Sequence, residues 1–373
     1  MLTLYVSGFA CATTESAVSA TALPVPHIAL LLPMNSPALG VAAEIVHQGV
    51  LAAASLHNPP LPLRIYSDFD ENRTVMTAYK SAIANGAVAV IGPMTRGGVR
   101  QLSEEKALPV PTLALNLIEG KIPPQLYLFG MAVDAEAKQI ARMARKQGLN
   151  QAIVISSAND PLARRLQFAF EEQWTASGGT VSREIEFNGD TRIFADVASG
   201  AENMVFFATD AEKARTIRPY LPANLAAYGT SQLFVDDQDK LRNFDLDGVH
   251  FIDMPWLLQT DQPAVSAYVR ASPPFSNNEE RLFALAIDAY RLIRVLLANQ
   301  TRTALPLDGV TGQIRLNGQI FQREAIPALF VQGHGQSADA PVTPAVQLFP
   351  DQFKSTSQVS AAMPMSAGQP LRP

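Results

Sequence analysis

His27-Ile-Ala-Leu-Leu-Leu-Pro33 and Ala87-Val-Ala-Val-Ile-Gly-Pro93 are two short, almost wholly apolar runs, each stopped by proline. Both are too short for a helix and carry no polar alternation, so they read as strands buried on two faces. Between them, residues 40–57 place Val41, Ile45, Val46, Val50, Ala53 and Ala54 at helical spacing, and Asn58-Pro-Pro60 ends that pattern. Leu63-Arg-Ile-Tyr-Ser67 predicts the next strand. Residues 72–85 predict a helix closed by Gly86, where a left-handed C-cap is wanted. A helix running to residue 107 and a strand at Val110-Pro-Thr-Leu-Ala-Leu115 complete the series. Strands alternating with helices of this length mean βαβ units and a parallel sheet covered on both sides.

A second series starts after Lys121-Ile-Pro-Pro-Gln125. Residues 134–147 predict a helix whose last turns carry Arg142, Arg145 and Lys146, as the helix dipole favours. Strands are expected at 152–155, 181–187, 204–207, 226–228 and 249–252, with helices at 161–177, 192–199 and 210–220. After Pro273-Pro274 a strongly periodic helix spans 279–298, and two strands close the fold at 312–316 and 328–331. Residues 334–373 hold six prolines and four charged side chains without periodicity, so a disordered tail is expected there.

Composition removes several functions. Among 373 residues, 29 Lys+Arg face 34 Asp+Glu, a net charge of −5, which offers no basic footprint for nucleic acid or an anionic membrane. No apolar run is long enough to span a bilayer. One cysteine and five scattered histidines make neither a disulfide framework nor a metal site, so no cofactor is expected. Gly92-Pro-Met-Thr-Arg-Gly97 has the glycine spacing of a phosphate loop, but Gly98 and Val99 stand where Lys and Ser/Thr are required. Asp68-Phe-Asp-Glu-Asn72 opens like a calcium loop, yet Arg73 occupies the glycine position. Neither a serine-hydrolase elbow nor a zinc-protease string occurs, so an enzyme has no constellation to stand on.

The lone cysteine is informative by position. Leu4-Tyr-Val-Ser-Gly-Phe-Ala10 precedes Cys11, and this junction resembles the end of a bacterial lipoprotein signal, with Cys11 the lipidated residue. Gly8 stands where that pattern has an aliphatic residue, and no Lys or Arg precedes Arg64; a start codon placed too far downstream would account for both.

Two consecutive α/β series with elements left over suggest a bilobed fold of the type I periplasmic-binding-protein kind, with two doubly wound, mostly parallel sheets and inter-lobe crossovers. The expected division is 1–25 as signal remnant and tether, 26–130 plus 256–305 as lobe 1, 131–255 plus 306–333 as lobe 2, and 334–373 as the tail. Particular strings narrow the resemblance. Leu246-Asp-Gly-Val-His-Phe-Ile-Asp-Met-Pro-Trp-Leu257, Arg281-Leu-Phe-Ala-Leu-Ala-Ile-Asp-Ala-Tyr-Arg-Leu292 and Gly309-Val-Thr-Gly-Gln-Ile-Arg-Leu316 are similar to the hinge, long helix and closing hairpin of the penicillin-binding-protein activator (LppC) family. The resemblance covers about residues 27–332. It implies a periplasmic lipoprotein held at the outer membrane through Cys11, which stimulates a class A bifunctional penicillin-binding protein without catalysis of its own. Longer family members carry a helical-repeat domain ahead of this module.

The residues themselves leave a second reading open: a receptor for an amino-acid-like solute. Ligands of open α/β sheets sit beyond the carboxyl ends of the strands. That rule picks out Asn35 and Ser36, Thr95 and Asn116 in the first lobe, and Ser157, Asn159, Asp210 and Thr230 in the second. Hydroxyls, amides and one acid suit a zwitterion, although Asn35, Ser157 and Asp210 equally suit helix N-caps. Trp256 is a candidate ligand wall or a packing residue at a lobe crossover.

Overall fold

The structure, a computed structural model, describes residues 24–57, 61–67, 74–235 and 240–338. Its first series runs β1 (His27–Leu31), α1 (Gly40–Ser55), β2 (Leu63–Tyr66), α2 (Val75–Ala84), β3 (Ala87–Ile91), α3 (Arg96–Ser103), β4 (Thr112–Ala114) and β5 (Leu126–Leu128). The second runs α4 (Val133–Lys146), β6 (Gln151–Ser157), α5 (Pro161–Ala176), β7 (Thr180–Phe187), β8 (Asn203–Ala208), α6 (Ala211–Ile217), β9 (Ala226–Gly229), α7 (Lys240–Asn243) and β10 (Val249–Asp253). The chain then forms α8 (Pro255–Leu258), α9 (Pro263–Ser266) and α10 (Asn277–Leu297). It ends in β11 (Leu307–Gly309), β12 (Gly312–Asn317), β13 (Ile320–Glu324), β14 (Ile326–Val331) and β15 (His334–Ser337).

Two sheets result. The first has the order β11-β12-β13-β5-β4-β3-β1-β2 and the second β15-β14-β10-β9-β8-β6-β7. Strands β1 to β5 pair parallel, as do β6 to β10, and antiparallel hairpins extend one edge of each sheet. Each parallel part follows the doubly wound 2-1-3-4-5 order, which places a switch point beside β1 in one lobe and β6 in the other. The apolar runs behave as their composition demands: every residue of β1 is buried. One face of the first sheet packs on α1 and α10 and the other on α2 and α3, so side chains from both faces build separate cores. In the second sheet α4 and α5 cover one face and α6 the other.

Helix α10 owes its start to Ser276, whose side chain accepts from the Glu279 amide while the Glu279 carboxylate accepts from the Ser276 amide. This reciprocal cap satisfies two donors that a helix end otherwise leaves open. Two thirds of the helix is buried, 14 of its 21 residues, including Asp288. That carboxylate accepts from the Val310 amide (3.2 Å), from the Thr311 amide (2.8 Å) and hydroxyl (2.7 Å), and from Arg291 (2.8 Å). It thereby pins the β11–β12 turn onto lobe 1.

The division of the chain differs from the expectation in two places. Residues 307–324 were expected in lobe 2, but β13 pairs parallel with β5 through Ile320 and Leu128, and the Leu128 amide donates to Gln319. Ile314 and Phe321 enter the lobe 1 core, so only β14 and β15 return to the second sheet. The expected tail also begins too early, because His334–Ser337 forms an edge strand antiparallel to β14. Its polar sequence gives no strand signal; Gly335 fits against the rings of Phe234 and Phe251, where a Cβ would come within 2.9 Å. Residues 339–373 lie outside the described residues. The helix expected at 192–199 is a single 3₁₀ turn, Thr191–Phe194, capped by Asp190.

Candidate functional site

Three crossovers join the lobes: 129–132 between β5 and α4, 254 between β10 and α8, and 325 between β13 and β14. The strand ends picked out by the sequence flank this hinge, and the structure decides what each side chain there is doing.

In lobe 1 most of the candidates are occupied locally. The Ser36 hydroxyl accepts from the Leu39 amide at 3.3 Å in the turn ahead of α1. Asn35 is exposed and is not the cap of α1, a position held by Leu39. Thr95 caps α3 by accepting from the Gly98 amide at 3.1 Å. The Asn116 amide donates to the Met94 carbonyl and its oxygen accepts from the Leu117 amide, both at 2.9 Å. That pair of bonds ties the loop after β4 to the loop after β3.

In lobe 2 the roles separate further. Asp210 caps α6, accepting from the Lys213 amide at 2.9 Å and pairing with the Lys213 ammonium. Burial pushes the Asp210 carboxyl up, but the Lys213 side chain and backbone amides outweigh it and hold it below the ordinary carboxylate range. Thr230 is buried and its hydroxyl accepts from the Gln232 amide. Asn159 is exposed with a left-handed backbone, φ 58°. Ser157 does not cap α5, because Asp160 does so through the Leu162 and Ala163 amides. Its hydroxyl is buried with no hydrogen-bond partner, which leaves one polar group at the β6 switch point unmatched.

Trp256 is a packing residue. It is fully buried in the lobe 1 core, its indole donates to Glu280, and the Arg270 guanidinium lies 4.0 Å over its ring. Cys11 lies outside the described residues, as does the 68–72 segment. Among the described residues no group of His, Cys, Asp or Glu is arranged to hold a metal ion, and no helix is long and apolar enough to cross a membrane.

The sequence reading missed the charged residues at the hinge itself. Glu136 on α4 accepts from Arg323 on β13 at 2.6 Å and from the Ser231 hydroxyl (2.7 Å) and amide (3.2 Å). Arg281 on α10 reaches the second lobe, donating to Asp253 and to the Ser231 and Phe234 carbonyls. Gln139 closes the set: its amide donates to the Ala325 carbonyl and accepts from the Ala325 amide. Asp253 stands inside an otherwise apolar string, and that was the available signal for it; Arg281 follows the polar run 276–280 and stands out less. Glu136 and Arg323 had none, because only the fold brings them together. A cavity of about 520 Å³ opens beside this network, between α4 and the β12–β13 hairpin.

The chain was compared with known proteins. The family model described as "LppC putative lipoprotein" matches residues 15–330. The penicillin-binding protein activator LpoA of Haemophilus ducreyi is 24% identical over 300 residues, which cover 77% of this chain and 50% of that protein. The chain thus spans about half the length of the curated relatives it matches. Solved structures that share the fold include two of note. A Chromobacterium violaceum protein described as a "putative branched-chain amino acid ABC transporter" is 35% identical at a TM-score of 0.72, covering 82% of this chain and all of that one. The LpoA C-domain from Haemophilus influenzae, described as a regulator of PBP1A, is 21% identical at a TM-score of 0.70, covering 83% and 99%.

Proposed function

The chain belongs to the LppC family, and on that premise we propose that it is a regulatory lipoprotein that binds and stimulates a class A bifunctional penicillin-binding protein. The observation that carries this reading is the match to the LpoA module over nearly the full length of its C-domain. A regulator of this kind does no chemistry. It raises another enzyme's rate by binding the active conformation more tightly than the inactive one. About 1.4 kcal/mol of differential affinity shifts such an equilibrium tenfold. Lipidation of Cys11 would hold the protein at the periplasmic face of the outer membrane, and Cys11→Ala should release it from the membrane fraction.

The test is direct. Added to purified class A penicillin-binding proteins of its host, the protein should give a saturable, stoichiometric increase in glycan polymerisation or cross-linking. A flat response with every one of them sinks the activator reading. One observation favours a second reading, a receptor for an amino-acid-like solute: the unmatched Ser157 hydroxyl at the β6 switch point, in a chain that covers all of the Chromobacterium violaceum structure. A thermal-shift screen of amino acids separates the two, since a ligand at 100 times its Kd adds about 2.7 kcal/mol.

A further inference from the structure

The cavity beside the hinge has a wall from each lobe. Helix α4 supplies Lys138 and Arg142 from lobe 2, and the β12–β13 hairpin supplies Arg315 and Arg323 from lobe 1. Glu136 and Glu324 are its acidic residues. Two of the four cations are already matched. Arg323 is paired with Glu136, and Lys138 lies 2.6 Å from Glu172. Arg142 and Arg315 are different. Arg142 donates to the neutral Gln173 side chain at 3.2 Å and Arg315 to the neutral Gln313 at 2.5 Å. Neither has a carboxylate within ion-pair distance among the described residues, although each guanidinium carries five donors.

The rest of the wall says what accompanies the charge. Leu117, Ile320 and Phe321 line it with apolar surface. The volume, about 520 Å³, falls within the ~300–1,000 Å³ of small-molecule sites. Gln139 and Ala325 both line the cavity and are joined by two hydrogen bonds, so it is anchored where the chain crosses between lobes. Two guanidinium groups without carboxylate partners, on elements of different lobes and lining one cavity with apolar surface, match a short carbon skeleton bearing a carboxylate at each end. Planar guanidinium groups bind carboxylates bidentately, which gives geometric selectivity as well as energy.

We infer that this hinge cavity binds a small polycarboxylate, one carboxylate on Arg142 of lobe 2 and another on Arg315 of lobe 1. Because the two arginines belong to different lobes, the bound anion restrains the angle between them. None of the strand-end candidates lines this cavity, and its ligand is read from the two arginines alone, so the site stands or falls independently of the activator reading.

The experiment is calorimetry on the full chain with citrate, succinate, inorganic phosphate and acetate at constant ionic strength. Citrate should bind saturably with a Kd below 1 mM, and acetate should give no saturable signal. Arg142→Gln and Arg315→Gln should each weaken citrate at least tenfold, and Arg315→Lys, which keeps the charge but loses the fork, should fall between. Both arginines are exposed, so each variant should melt like the parent without anion; this separates lost binding from lost folding. Absence of saturable citrate binding, or binding unchanged in both glutamine variants, overturns the site. Tighter binding of phosphate than of citrate overturns the carboxylate assignment.

Discussion

Arg281 on α10 grips Asp253 at the last position of β10 through two hydrogen bonds, Nε to Oδ1 at 3.0 Å and Nη2 to Oδ2 at 2.5 Å. The two side chains are 4% and 1% exposed, and they join the long helix of lobe 1 to the central sheet of lobe 2. Arg281 also donates to the Ser231 and Phe234 carbonyls at 3.1 and 2.6 Å and to Asn278 at 2.7 Å. Burial on this scale costs both charges their water, and the pair is tolerable only because the geometry is bidentate and the remaining donors are filled.

Breaking that pair from one side should therefore be severe. Arg281→Met leaves the Asp253 carboxylate buried and uncompensated, and should cost about 3–5 kcal/mol of unfolding free energy. The double variant Arg281→Met/Asp253→Leu should recover most of the loss, because no charge is then stranded. Urea denaturation of the two singles and the double closes the cycle. Additive losses would mean that the two groups are not coupled.

Much of the scaffold was legible in the sequence, for local reasons. The runs at 27–32 and 87–91 read as buried strands, and the periodicity after Pro273-Pro274 places the long helix α10. What failed was non-local. The lobe to which β13 belongs depends on its pairing with β5, across about half of the chain, and no periodicity encodes that. Strand β15 is polar and is held by the edge of β14 and two phenylalanine rings. The strand-end rule picks Thr95, Ser157 and Asp210, which follow β3, end β6 and follow β8. It could not say which hydroxyls are spent as caps: Asp160, not Ser157, caps α5. The Glu136–Arg323 pair was invisible because helix and hairpin meet only in the folded molecule.

Helices α1 and α10 approach more closely than side chains normally allow, and Gly49 is the reason. A Cβ at that position would lie 2.4 Å from the Phe283 carbonyl oxygen and 2.7 Å from the Ala286 Cβ. Gly49→Ala should thus destabilise by about 1–3 kcal/mol through overpacking, even though alanine is the better helix former by ~1 kcal/mol. Thermal unfolding reads the sign. A rise in Tm would show that the two helices can separate freely.

His250 on β10 gives the protein a pH dependence of defined sign. Its ring stacks on Tyr228 at 4.8 Å, and burial holds its pKa below the ordinary 6.5. As pH falls through 6.5 the unfolded chain takes up this proton before the folded one, so the unfolded state binds more protons and stability drops. The loss continues until the folded pKa is passed. His250→Phe keeps the stacked ring and removes the titration, so its stability should fall less than the parent's between pH 7.5 and 5.5. Equal slopes for the two proteins would place the titration elsewhere.

Ser157 should respond opposite to most buried positions. Substitutions in a core usually destabilise, because they open a cavity or strand a partner. Here the hydroxyl is buried at the end of β6 and has no partner to strand. The folded protein therefore carries the desolvation of an unmatched polar group, which amounts to about 1–3 kcal/mol. Ser157→Ala removes that oxygen and leaves only a small void, so unfolding free energy should hold steady or rise by as much as that amount. Ser157→Val tests the packing side of the argument, because its extra methyl must fit beside buried Phe187, its register partner on β7, or cost stability. If the hydroxyl serves an amino-acid-like solute, Ser157→Ala should also weaken that binding while leaving the unliganded protein no less stable. A clear loss of unliganded stability in Ser157→Ala would show that the hydroxyl is satisfied in solution, and the position would then be structural.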